Sequence, residues 1–78
     1  MSQTLEEINE VFQEVFEDED LDVRAQTSAR DIDDWDSLMH VNLILAVESR
    51  FDVRFTSTEV AALKDVGELV ELVEKKQA

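Results

Sequence analysis

Apolar residues at Leu5, Ile8, Val11, Phe12, Val15 and Phe16 recur at the three-and-four spacing that lines one side of a helix. The spacing predicts a first amphipathic helix, and Thr4 with Glu7 three residues later has the spacing of a capping box at its start. The pattern breaks over residues 17–36, where nine carboxylates and two arginines surround only Leu21, Val23, Ala25, Ala29, Ile32 and Trp35 as apolar residues. Structureless connections beyond about 12–15 residues are uncommon in compact domains and are either functional or disordered. Ile32 and Trp35 predict an ordered loop, pinned back on the core by its own apolar side chains.

From Leu38 to Val47 eight of ten residues are apolar, too many for one helix face. His40, Leu43, Ile44, Val47 and Phe51 form one stripe at helical spacing, and Leu38, Val41 and Leu45 form a second on a different side. A domain this small has a single core, so the second stripe is expected to be a contact surface. Thr56 and Glu59 repeat the capping-box spacing ahead of a short helix that ends near Leu63, and Asp65 and Glu68 repeat it again. They introduce a last helix with Val66, Leu69, Val70 and Val73 inward and Lys75 and Lys76 at the end where the macrodipole favours cations. Gly67 falls in its first turn, where low helix propensity costs least. The expected fold is all-α, a small four-helix bundle of three longer helices and one short helix, with a long loop between the first and second. A single domain spans residues 1–78.

Charge then restricts the partners. Twenty Asp and Glu residues against seven Lys and Arg give a net charge of -13, which opposes binding to nucleic acid or insertion at an anionic membrane and favours basic partners. Hydrophobic content of 44% is too high for a disordered acidic tail, so the acids coat a folded body. No cysteine is present, so no disulfide or thiolate metal site serves as a staple. Met1-Ser2-Gln3-Thr4 lacks the basic and apolar stretches of a signal peptide, and the chain reads as a cytoplasmic monomer.

The candidate chemistry lies at Asp36-Ser37-Leu38, where the acidic loop meets the apolar helix. Asp36 is expected to be the N-cap and Ser37 the first or second helical residue, its hydroxyl exposed beside unpaired N–H groups. A helix start favours an anion through its dipole and free donors, so a phosphodiester built on Ser37 would sit in a favourable field. The alternative is that Ser37 only supplements the cap.

Serine catalysis with His40, one turn on, is disfavoured: the one glycine is Gly67, which leaves no glycine-built elbow or oxyanion hole, and Asp36 would oppose an oxyanion. A calcium loop started at Asp18 places acids at 18, 20 and 22 but Val23 at the glycine position and Ala29 at the closing glutamate. Only loose association of divalent ions with the acidic run is expected, and no metal site. Trp35 is expected to anchor the loop, and Met39 to pack.

Taken together, the capped helix, the long loop ending Trp35-Asp36-Ser37-Leu38, the helix through Glu48-Ser49-Arg50-Phe51, Thr58-Glu59 and the closing helix resemble an acyl carrier protein over nearly the whole chain. The resemblance implies that Ser37 receives covalent 4'-phosphopantetheine from coenzyme A through a separate magnesium-dependent phosphopantetheinyl transferase. It implies an acyl group held as a thioester, presented to acyl-loading and acyl-transfer enzymes with basic docking patches, and no catalysis by the chain itself. By the same resemblance Asp36, Leu38, Val41, Leu45, Ala46 and Glu48 match the partner-binding positions.

Met39 and Asn42 stand where housekeeping fatty-acid carriers have acids, and Trp35 where they have a small residue. With these departures, Trp35-Asp36-Ser37-Leu38 resembles carriers of specialised pathways, which implies an acyl cargo of polyketide or modified-lipid synthesis, or alternatively an aminoacyl, D-alanyl or peptidyl carrier. The chain, beginning at Met1 and ending past the last helix, is expected to be a discrete bacterial carrier. The competing reading is an acidic interaction module that keeps the fold and is never modified.

Overall fold

In the computed structural model, which describes residues 3–32 and 35–77, four helices follow one another. They are α1 (Gln3–Val15), α2 (Ser37–Phe51), the short α3 (Ser57–Ala62) and α4 (Val66–Gln77), with a 3-10 turn at Ala29–Asp31 inside the long loop. Among the described residues there is no strand, only an isolated bridge between Ser28 and Asp65. The all-helical expectation holds, and the element bounds lie within a residue or two of the sequence reading.

The core is made by the stripes that periodicity selects. Ile8, Val11 and Phe12 of α1 meet Leu43, Ile44, Val47 and Phe51 of α2 and Val66, Leu69, Val70 and Val73 of α4. Among the described loop residues only Val23 is buried with them, while Ile32 and Trp35 pack against the cluster half-buried. No residue of α3 is buried. A single core of this size supplies about 3–5 kcal/mol of net stability. Removal of a fully buried aromatic such as Phe12 costs about as much.

Caps fix the helix ends, with one correction to the sequence reading. Asp36 accepts the Met39 N–H at 2.9 Å at the start of α2. Thr56 and Glu59 form a reciprocal capping box at α3, with N–H to side-chain distances of 3.1 and 2.9 Å. At α4 Asp65 accepts the Glu68 N–H at 2.9 Å, while Glu68 reaches past Asp65 to the Lys64 N–H at 2.9 Å. The expected box at Thr4 and Glu7 does not cap α1, because α1 already includes Gln3 and Thr4 is a helical residue. Helical backbone at Thr4 turns its side chain away from the extended geometry an N-cap needs.

The loop is ordered by polar contacts as much as by apolar ones. Asn9 of α1 accepts the Val23 N–H at 2.8 Å, and Gln13 Nε2 donates to the Leu21 carbonyl at 2.9 Å. The carbonyls of Thr27 and Ala25 accept the N–H groups of Val66 and Gly67 at 2.8 and 2.7 Å. These are donors that the first turn of a helix leaves without intrahelical partners, so the loop caps α4. The same approach explains Gly67: a Cβ there would lie 2.9 Å from the Ala25 carbonyl oxygen. Close backbone approach, rather than tolerance of a weak helix former, is what requires glycine. Ser28 and Asp31 close a further local turn, the Ser28 N–H donating to Asp31 at 2.9 Å. Of the nine loop acids, Asp33 and Asp34 lie outside the described residues.

Arg50 joins α2 to the acidic side of α1. Its guanidinium bonds Glu10 and lies 3.6 and 3.8 Å from carboxylate oxygens of Glu7 and Glu14. The hydrogen bond with Glu10 is the main factor that raises the Arg50 pKa above its ordinary value. One cation thus relieves repulsion among three carboxylates on neighbouring turns.

Candidate functional site

The site begins with a local decision at the start of α2. Asp36 has extended backbone, its side chain holds the Met39 N–H, and its carbonyl accepts the His40 N–H at 2.9 Å. With Asp36 as N-cap, Ser37 is the first helical residue and is exposed. No hydrogen bond ties the Ser37 hydroxyl to another described residue, and the N–H groups of Ser37 and Leu38 belong to the first turn, where donors lack intrahelical acceptors. An exposed hydroxyl, free amides and the positive end of a fifteen-residue helix make a setting that accepts an anionic ester.

A crevice of about 440 Å³ opens beside this serine. Its lining includes Trp35, Ser37 and His40 together with Val60, Leu63 and Leu69. The loop, α2, α3 and α4 all contribute. Such a concave surface, apolar at Trp35, Val60, Leu63 and Leu69 and polar or charged at Asp36, Ser37, His40, Lys64 and Asp65, has the size of a small-molecule site.

His40 does not serve Ser37. Its Nδ1 accepts the indole N–H of Trp35 at 3.1 Å, and its Nε2 faces the Val60 carbonyl at 3.4 Å. Both nitrogens are engaged away from the hydroxyl. Trp35 is the loop anchor the sequence suggests: its ring meets Phe12 edge-on at 5.2 Å and stacks near His40 at 5.9 Å.

The six positions matched to a partner surface divide in the fold. Leu38, Val41 and Leu45 are 70%, 53% and 58% exposed and form a continuous apolar stripe along α2, with exposed Asp36 at its start. Ala46 is half-buried and packs against the core. Glu48 is half-buried, and one of its carboxylate oxygens accepts the Phe55 N–H at 2.7 Å. That bond was not legible in the sequence, although a glutamate seven residues before an extended segment is the only signal it leaves. Among the described residues no group of three or more His, Asp or Glu is placed to hold a metal ion, and no helix is long and apolar enough to cross a membrane.

Comparison with known proteins agrees with this geometry. Residues 6–73 match the family model described as "Phosphopantetheine attachment site". Among solved structures the fold is similar to the solution NMR structure of a holo acyl carrier protein from Geobacter metallireducens, with 42% sequence identity and a TM-score of 0.91. The match covers 97% of this chain and 87% of that one. No curated protein matches.

Proposed function

The chain belongs to the phosphopantetheine attachment-site family and is an acyl carrier protein that bears 4'-phosphopantetheine covalently, and from that premise we propose that Ser37 Oγ is the attachment atom. The observation that carries the assignment is the division of labour at the start of α2. Asp36 takes the cap, which leaves the Ser37 hydroxyl exposed, with no hydrogen bond to another described residue, beside the first-turn amides. Those amides and the helix dipole stabilise the phosphodiester that would form on Oγ. When bound, the group supplies a thiol that holds an acyl cargo as a thioester. The chain's own residues then orient the arm, shelter it and present it, and catalyse no step: the one histidine is occupied by Trp35 and Val60.

Partners in this reading are a phosphopantetheinyl transferase and acyl-loading and acyl-transfer enzymes of lipid, polyketide or related synthesis. They dock by basic patches on a surface of Asp36, Leu38, Val41 and Leu45. The apolar stripe supplies contact area, and the net charge of -13 speeds encounter. Ala46 contributes from the edge, and Glu48 with the oxygen it does not give to Phe55. Residues 1–78 act as a single monomeric carrier domain in the cytoplasm, beside the coenzyme A on which it draws.

The test is direct. Incubation with coenzyme A, magnesium and a broad-specificity transferase, followed by intact mass, should show one phosphopantetheine per chain, and none in Ser37→Ala. An unchanged mass in the parent chain, or an equal gain in the variant, would overturn the assignment. The mass of the cargo on protein from its own host separates an acyl from an aminoacyl carrier.

A further inference from the structure

Trp35 and His40 form a partition beside Ser37. The indole packs edge-on against Phe12, which is fully buried in α1, and donates to His40 Nδ1 at 3.1 Å. His40 in turn reaches the Val60 carbonyl in α3 at 3.4 Å. The partition therefore runs from the loop through α2 to α3, and its polar atoms are paired along the way. Held by its hydrogen bond to His40 and its edge contact with Phe12, the indole is fixed between the crevice and the core.

Its two sides differ. One side is the crevice of about 440 Å³ that Ser37 borders. The other is Phe12 and the rest of the α1 contribution to the core, and no α1 residue lines the crevice. An apolar chain tethered at Ser37 is driven out of water into the adjoining crevice in proportion to the area it buries. That gain continues only while apolar wall is available, and toward α1 the wall ends at the indole.

We propose that Trp35 sets the length of the cargo, with His40 as the positioning residue that holds it. The crevice shelters a short acyl chain on the arm carried at Ser37. Longer chains are kept from the α1 side of the core and stay in water or pass to the partner enzyme. The inference rests on the Ser37 reading above and adds to it the substrate class.

The experiment uses the full chain loaded by a promiscuous transferase from acetyl-, butanoyl-, hexanoyl-, decanoyl- and tetradecanoyl-coenzyme A, with loading checked by intact mass. The readouts are the unfolding temperature and the emission of Trp35, the one tryptophan in the chain. Each methylene that becomes sheltered should raise the unfolding temperature by roughly 3–6 °C. The temperature should climb over the shorter cargoes and level before tetradecanoyl, and Trp35 emission should stop changing at the same length. In Trp35→Leu, and in His40→Ala where the indole loses its acceptor but keeps its core contact, the climb should extend to longer cargoes than in the parent chain.

A steady climb through tetradecanoyl in the parent chain overturns the length limit, and so does an unshifted plateau in both variants. A uniform drop in stability across all cargoes, with the plateau unmoved, would mark the pair as merely structural. Absence of any mass gain would remove the Ser37 reading and this inference with it, an outcome distinct from a loaded chain that shows no plateau.

Discussion

Glu48 accepts the backbone N–H of Phe55 at 2.7 Å, and so fastens the interior of α2 to the segment that leads into α3. A residue that the family resemblance marks for partner contact is thereby tied into the fold. Glu48→Lys should lower stability by about 1.5–3 kcal/mol, the range for a hydrogen bond to a charged group, with Glu48→Gln losing less. Urea denaturation at neutral pH measures both. Equal stability of Glu48→Lys and the parent would contradict this and return Glu48 to the docking surface alone.

The exposed stripe gives the opposite expectation. Leu38 is 70% exposed, so Leu38→Asp should alter stability by no more than about 0.5 kcal/mol. It should slow loading by a phosphopantetheinyl transferase at least tenfold in kcat/KM, since an unpaired charge would be buried on docking. Transferase kinetics run beside a melting curve separate the two effects. Loading at the parent rate would remove Leu38 from the surface.

Glu59 links stability to pH. Its carboxylate accepts the Thr56 N–H and pairs with Lys76 Nζ at 2.9 Å, and Lys76 also lies over the Phe55 ring at 5.8 Å. The hydrogen bond from Thr56 first, and Lys76 second, hold the Glu59 pKa below its ordinary 4.5. A carboxylate whose folded pKa is depressed contributes stability that is complete above the unfolded value and is lost as pH falls through the folded one. The Glu59 share should therefore be intact at neutral pH and vanish as the solution is acidified below 4.5. Denaturant midpoints of the parent and Glu59→Gln should converge on acidification, and a gap that stays constant down to pH 3 would refute the linkage.

Gly67 should respond against the usual rule. Glycine to alanine in a helix ordinarily stabilises by about 1 kcal/mol. Here the new Cβ would lie 2.9 Å from the Ala25 carbonyl oxygen, the same atom that accepts the Gly67 N–H. Gly67→Ala should cost about 1–3 kcal/mol through overpacking, and faster amide exchange at Gly67 and Val66 should accompany it. A more stable variant would show that the loop yields without loss.

Asp52 closes α2 in the left-handed region, with φ 55° and ψ 50°. A side chain pays there for a conformation that glycine adopts freely. Asp52→Gly should raise stability by up to about 1 kcal/mol, or roughly 4–8 °C in unfolding temperature for a domain of this size. Removal of one negative charge from a chain at -13 acts in the same direction. A lower unfolding temperature would count against the argument.

Much of this protein is decided within short stretches of chain. The inward stripes of α1, α2 and α4, the caps at Asp36, Thr56 and Asp65, and the exposed Ser37 all depend on side chains three or four residues apart, a spacing that helical geometry fixes before any tertiary contact forms. The second stripe of α2 was legible for the same reason: a helix with two apolar faces in a domain with one core leaves one face outside. What tertiary structure alone decided are the pairings between polar groups distant in sequence. Asn9 with Val23, Ala25 with Gly67, Glu48 with Phe55, Trp35 with His40, and His40 with Val60 follow no period. Each forms because packing of the apolar stripes takes a polar group out of water and leaves it to find a partner nearby. The serine could be found from sequence, whereas the crevice beside it and the indole that closes that crevice toward α1 exist only once the helices have packed.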